Sequence, residues 1–121
     1  MTRLRTDIWV AALIRQVETT GAFVTVVKKG AVEAGTVFLI VDGGDGTGDL
    51  YGPAPQSIFD TDRPADRVFS QLAAGATLAD LETRLSSERR FDPDLWIVEI
   101  QDRRRRPFVS LSDDSQADPR S

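Results

Sequence analysis

The sequence predicts an α+β domain: an antiparallel sheet of about five to six strands with two helices, in the order α-β-β-β-β-α-β-β. Two segments, residues 7–19 and 77–90, carry apolar residues at helical spacing. Most other apolar residues fall in short runs rich in Val, Ile and Phe, which favour strands. The 121 residues suffice for one hydrophobic core. The expected organisation is a single domain over residues 1–111 and a disordered acidic tail over residues 112–121.

The composition removes several kinds of chemistry. The chain has neither Cys nor His, so disulfides, thiolates and imidazole ligands or bases are unavailable. No cofactor and no metal site is expected, and no apolar stretch is long enough to span a membrane. Residues 1–15 resemble a signal peptide, but the apolar run is short and Asp7 precedes it, so a helix in a cytoplasmic protein is expected. The net charge of −4 does not favour nucleic-acid binding.

The first helix is predicted over residues 7–19, where apolar residues recur at i, i+3, i+4 and i+7. Thr6 is the expected N-cap, and Gly21 follows the last helical residue, where glycine commonly ends a helix. A strand over residues 5–10 is the alternative. The Ala-Ala-Leu-Ile centre favours the helix.

Two strands are predicted next, over residues 22–28 and 36–42. The short polar turn at residues 29–35 indicates that they pair as an antiparallel hairpin. The second strand is apolar on both faces, which is typical of a central strand covered on each side.

Residues 42–49 read D-G-G-D-G-T-G-D and are predicted to form a flexible hairpin loop. Calcium loops place oxygen ligands at positions 1, 3 and 5, whereas the aspartates here are at positions 1, 4 and 8. The lysine of a phosphate-binding loop is also missing.

Residues 50–55 contain two prolines and are predicted to form a short strand at a sheet edge. A polar loop is expected over residues 57–64. Residues 67–72 fit either a strand or a helical turn, with the strand favoured, and Gly75 is expected to break the chain.

The second helix is predicted over residues 77–90, with Thr77 as its N-cap. A turn then leads into a core strand over residues 95–101, L-W-I-V-E-I-Q. After a basic turn, a last strand over residues 107–111 is expected to close a second hairpin with it. Both helices are expected on one face of the sheet.

A polar cluster near the end of the second helix is the first candidate site. It comprises Arg89, Arg90, Asp92, Asp94 and Glu99, in which a guanidinium pair could bind a carboxylate or phosphate. The structural alternative is that Asp92 caps the turn, Asp94 begins the strand and the arginines are favoured by the helix dipole.

The basic turn Arg103, Arg104, Arg105 and Arg106 is the second candidate site. It could contact an anion, a nucleic-acid backbone or an acidic partner. The alternative is a solvated hairpin tip that keeps a sheet edge from aggregating.

With these segments identified, the chain resembles the domain-of-unknown-function family 1491, a bacterial and largely alphaproteobacterial family. The matching stretches are R-L-R-T-D-I-W-V-A-A-L-I-R, G-A-F-V-T-V-V-K-K-G, A-G-T-V-F-L-I-V, L-Y-G-P-A-P and E-R-R-F-D-P-D-L-W-I-V-E-I-Q-D-R. The resemblance implies a bacterial cytoplasmic protein of about this size, and it implies no activity and no catalytic residues.

Three functions are compatible with the sequence. The first is a non-catalytic binding module that associates with a protein partner or with itself. The second is a nucleic-acid-binding accessory protein that uses Arg103–Arg106. The third is an enzyme that acts on an anionic small molecule without His or Cys.

Overall fold

The α+β fold is confirmed by the computed structural model, which describes residues 4–55 and 67–112. The predicted loop at 57–64 and the tail from residue 113 lie outside the described residues. The elements in chain order are α1 Thr6–Glu18, β1 Phe23–Lys28, β2 Val37–Asp42, β3 Thr47–Pro53, β4 Val68–Thr77, α2 Leu78–Phe91, β5 Trp96–Gln101 and β6 Ser110–Leu111.

The described strands form one six-stranded sheet in the order β1-β5-β2-β3-β4-β6. Three neighbouring pairs are antiparallel, β1 with β5, β2 with β3 and β3 with β4. The pairs β2 with β5 and β4 with β6 are parallel. The sheet is therefore mixed rather than wholly antiparallel as predicted.

Both terminal hairpins were predicted with the wrong partners. β1 and β2 do not pair, because β5 lies between them. β5 is buried on both faces over most of its length, so a place between two strands removes more apolar surface from water than an edge would. The last strand does not return to β5 either. Only Ser110 and Leu111 are extended, and they pair in parallel with β4 at the far edge.

β3 and β4 are also longer and more central than predicted. β3 lies between β2 and β4, so it is not an edge strand, and its Pro53 stands at the last residue of the strand. The ambiguous segment after residue 67 is a strand that extends to Thr77. Gly75 does not end it. Gly75 has φ +63°, and its N–H donates to Asp49 Oδ1 at 2.8 Å.

The two helices pack on opposite faces of the sheet, which corrects the expectation of a single helical layer. α1 belongs to a core cluster that includes Val98 of β5, whereas α2 belongs to a second cluster that includes Ile97. Successive residues of a strand point to opposite faces. Because β2 and β5 carry apolar side chains on both faces, a helix on each face of the sheet is needed to remove them from water.

One predicted helix cap is confirmed and one is wrong. Thr77 accepts a hydrogen bond from the Asp80 N–H at 3.1 Å, as an N-cap does. Thr6 is instead the first residue of α1 and fully buried. Its hydroxyl donates to the Gly35 carbonyl at 2.9 Å, so it fastens α1 to the chain segment that leads into β2.

Candidate functional site

A cleft lies between α2 and the neighbouring strands, on the face of the sheet that α2 covers only in part. Its volume is about 280 Å³. Six of its ten lining residues are apolar and come from both the sheet and the helix. The apolar residues are Val27, Ile40, Leu78, Leu81, Leu85 and Ile97, and the polar ones are Glu82, Ser86, Arg89 and Glu99.

The floor of this cleft continues onto a bare part of the sheet. α2 packs mainly against β3 and β4 and covers Ile97 of β5, so it leaves β1 and the Glu99–Gln101 end of β5 uncovered. Phe23 pairs with Gln101 and Thr25 pairs with Glu99, which places all four on the face of Glu99. Phe23 is 67% exposed, and Val27, after an irregularity in the strand, is 51% exposed. An apolar strip therefore borders the cleft.

The predicted polar cluster is only partly brought together. Arg89 and Glu99 line the same cleft. Arg90 and Asp94 are exposed outside it, and Asp92 caps the end of α2 and accepts a hydrogen bond from the Asp94 N–H at 3.1 Å. Asp92 and Asp94 thus shape the turn that leads into β5.

Two carboxyl groups meet on the cleft side of the sheet. Glu99 of β5 and Asp42 of β2 lie on the same face of adjacent strands, since Glu99 pairs with Ile40 and Asp42 pairs with Gln101. Burial, together with the hydrogen bond and negative charge of Asp42, raises the pKa of Glu99 above its ordinary value, and a hydrogen bond with Gln101 opposes the shift. Among the described residues no Lys or Arg forms an ion pair with either carboxyl group.

Replacing Glu99 with glutamine should stabilise the protein at neutral pH by about 0.5 kcal/mol, the size of a like-charge cross-strand pair. The folded state holds the Glu99 proton more tightly than the unfolded chain does. The protein should therefore lose stability as the pH rises from 4.5, the ordinary pKa, through the raised folded pKa, and this loss should be absent in the variant. Urea unfolding on both sides of that window measures it.

Glu18→Gln on α1 is the matched control, because Glu18 is exposed on the other side of the sheet. The free energy of unfolding of Glu18→Gln should depend on pH in the same way as that of the wild type. If Glu99→Gln lowers stability equally at every pH, the proposed repulsion between Glu99 and Asp42 does not operate.

The basic turn is a folded structure rather than a solvated hairpin tip. Arg105 reaches into the loop between β2 and β3, where its Nη2 lies 3.0 Å from Asp45 Oδ1 and its Nη1 lies 3.3 Å from Asp49 Oδ1. The same guanidinium donates to the hydroxyl of Thr47. The aspartate- and glycine-rich loop, predicted to be flexible, is thereby fastened by one arginine.

Arg106 is paired within its own turn. Its Nε donates to Asp102 Oδ2 at 2.8 Å, and its backbone N–H donates to the same oxygen at 2.9 Å. These hydrogen bonds lower the pKa of Asp102 to about 2. Arg103 and Arg104 remain exposed. Two of the four arginines are thus engaged by aspartates of this chain, which reduces the positive charge offered to an external anion.

Sequence reasoning missed the aspartates that matter here: Asp42, Asp45, Asp49 and Asp102. Local sequence does not connect residues 42–49 with residues 102–106. The connection is the parallel register of β2 with β5, which pairs Asp42 with Gln101 and brings the two following loops to the same end of the sheet. The available indication was opposite charge in the two loops: three aspartates in residues 42–49 against four arginines in residues 102–106.

A larger cavity, of about 470 Å³, lies on the α1 side between that helix and the C-terminal segment. Its aromatic and charged walls already contact one another. Trp9 stacks on Phe69 with 5.6 Å between ring centroids, and Arg67 lies 5.6 Å above the Trp9 ring. Arg67 also donates to the Thr6 hydroxyl at 2.7 Å. We therefore regard the α2 cleft as the better candidate site.

The fold and the cleft define a small α+β protein whose mixed sheet carries one helix on each face and leaves part of one face bare. The chain matches the family model DUF1491, described as a protein of unknown function, over residues 4–110. It belongs to this family, which confirms the resemblance seen in the sequence.

Solved structures of similar proteins include examples from two bacteria. A protein from A. tumefaciens is 42% identical with a TM-score of 0.79, over 93% of this chain and 97% of that chain. The crystal structure of a DUF1491 protein from Caulobacter crescentus is 40% identical with a TM-score of 0.74, over 91% and 98% of the two chains. A search among curated proteins found no match. No helix in the described parts of the chain has the length and apolar character needed to cross a membrane.

Proposed function

We propose that this domain is a non-catalytic module of the bacterial cytoplasm that binds another protein. Its binding surface is the α2 cleft together with Phe23 and Val27 of β1, here called the docking face. One observation carries the proposal: of the seven exposed large apolar side chains among the described residues, two, Phe23 and Val27, lie on the α2 face of β1. Exposed apolar side chains grouped beside a cleft are typical of interaction sites.

The exposure of β1 is also unusual for an edge strand. Edge strands are commonly protected by charged side chains, lysine above all. β1 carries one lysine, Lys28, and its Nζ is directed inward, donating to the carbonyls of Pro93 at 2.7 Å and Leu95 at 3.0 Å. These hydrogen bonds attach β1 to the turn that precedes β5. The Lys28 charge therefore does not protect the exposed apolar side chains of β1.

The binding energy available is considerable. Burying an exposed Phe or Val side chain fully contributes about 1.5–3 kcal/mol. Phe23 and Val27 lie beside a cleft that is mainly apolar. A partner that covers these two side chains and the cleft would gain binding free energy from all of this apolar surface. The charged groups at the border, Arg89 and Glu99, would set orientation more than affinity.

The proposal is tested by quantitative capture from a lysate of the native bacterium. Phe23→Ala should reduce the recovery of the specific partner at least about tenfold, since an aromatic anchor at an interface commonly contributes about 2 kcal/mol. Phe91→Ala is the matched control, because Phe91 is 87% exposed and lies outside the cleft lining. Equal recovery by the wild type and both variants would contradict the proposal.

A further inference from the structure

We infer that the docking face takes an amphipathic helix of a partner protein, with a Lys or Arg side chain of that helix placed against Asp42 and Glu99. The inference rests on the proposed function and names the chemistry of the partner. Three features of the docking face support it: its width, its charge and its position relative to the rest of the chain.

The uncovered part of the sheet has the width of one helix. α2 lies over β3 and β4 and also covers Ile97 of β5, so the part left uncovered is β1 together with the Glu99–Gln101 end of β5. Neighbouring strands are about 4.8 Å apart, so β1 and this end of β5 offer a strip about 10 Å wide, close to the diameter of an α-helix. A second helix would rest on this strip against the exposed side of α2 and complete the layer.

The length of the cleft suits a short helix. It follows α2 from Leu78 to Arg89, a distance of about 16 Å at 1.5 Å per residue. About three turns of a partner helix would match it, with apolar residues at i, i+3, i+4 and i+7 facing Phe23, Val27 and Ile40.

The charge of the docking face differs between its two ends. The Leu78 N–H donates to the Gly46 carbonyl at 3.2 Å, and Gly48 pairs with Asp42, so the start of α2 lies at the Asp42 end. Arg89 lies at the opposite end, near the start of β5. Glu82 of α2 joins Glu99 in the cleft lining. Three carboxyl groups thus face one guanidinium, and a basic partner side chain would relieve the repulsion between Asp42 and Glu99.

Segments of the same chain are poor occupants of this surface. Residues 56–66 follow β3 and precede β4, and residues 113–121 follow β6. These strands are three to five places from β1 in the sheet. Both segments are acidic, with three aspartates each against one arginine, so their charge does not complement Asp42 and Glu99.

The test is a selection from a displayed library of helix-forming peptides of about fourteen residues, with the charged positions randomised. Selected peptides should carry an apolar stripe with Lys or Arg at one end, and should become helical on binding. Glu99→Gln should weaken a selected peptide about five- to tenfold, whereas Glu18→Gln should not. Val27→Asp, at a position that is 51% exposed, should abolish binding.

Four results of the peptide selection would overturn the inference. They are the absence of selected peptides, selected peptides without a basic preference, peptides bound in an extended form at β1, and peptides insensitive to Val27→Asp. A concentration-dependent dimer that Val27→Asp dissociates would also overturn it, since a second copy would then occupy the face. Partner capture that depends on Phe23 would leave the proposed function standing in each case. Capture that is indifferent to Phe23 would contradict the proposed function itself.

Discussion

Replacing Gly30 with alanine is expected to lower the free energy of unfolding by about 3 kcal/mol or more. A Cβ at this position would overlap the carbonyl oxygen of Asp94 and lie 2.6 Å from the carbonyl carbon of Leu95. These are backbone atoms, so they cannot rotate away as a side chain could. The loop after β1 would have to separate from the turn before β5.

That separation would also break the hydrogen bonds that join the two segments. The Ala31 N–H donates to the Asp94 carbonyl at 2.8 Å, and the Trp96 indole Nε1–H donates to the Ala31 carbonyl at 2.8 Å. Because Trp96 is buried in the core, its unpaired indole N–H would add a desolvation penalty.

Thermal unfolding of Gly30→Ala, followed by circular dichroism, measures this effect. The midpoint should fall by about 12 °C or more, given about 4 °C or more per kcal/mol for a domain of this size. Gly46→Ala is the matched control, since Gly46 has φ +87° with nothing within 4 Å of its added Cβ. Its conformational strain should cost only about 1–2 kcal/mol. Equal stability loss in the two variants would show that the close approach at Gly30 is not what requires glycine.

Asp102→Ala should destabilise the protein by about 2–3 kcal/mol at neutral pH. The Asp102 carboxylate is buried and accepts hydrogen bonds from the backbone N–H and guanidinium of Arg106. The same turn positions Arg105, which has φ 57° and fastens the loop between β2 and β3. Loss of Asp102 removes the group that organises the turn.

The effect of Asp102 should depend on pH in a defined window. Its pKa falls from the ordinary 3.8 to about 2 in the folded protein, so its contribution is present above pH 3.8 and is lost as the pH falls toward 2. Urea unfolding should show the difference between wild type and Asp102→Asn shrinking across that window. Asp94→Asn is the control, since Asp94 is exposed and should change stability by less than about 0.5 kcal/mol. A difference that persists undiminished at pH 2 would contradict this account.

Local sequence pattern was sufficient to predict most elements of the fold. The spacing of apolar residues predicted the ends of both helices to within one residue. Thr77 was also predicted correctly as the N-cap of α2. The core strand predicted over residues 95–101 is also confirmed as β5, in which Trp96 and Ile97 belong to different core clusters. These properties depend on residues close together in the chain.

Strand order could not be predicted in the same way. The turn at residues 29–35 has the composition of a hairpin connection, but β5 displaces that pairing because its two apolar faces are best buried at the centre. Such a preference depends on competition among all strands for the centre of the sheet. No short sequence motif predicts which strand takes the centre.

The candidate site depends on that order and was therefore predicted only in part. Arg89 and Glu99 were identified from their proximity to the end of α2. Asp42 was treated as part of a flexible loop, because its proximity to Glu99 exists only when β2 and β5 pair in parallel. The bare strip over Phe23 likewise exists only because β1 is at the edge.

The docking face is tested most directly by photo-crosslinking in the native bacterium, with a photoreactive amino acid in place of Val27 and, separately, in place of Phe91. Val27 lies in the cleft lining and Phe91 outside it, although both are exposed. We expect a discrete protein adduct from position 27, diminished by Phe23→Ala, and none from position 91. No adduct from position 27, or the same adducts from both positions, would contradict it.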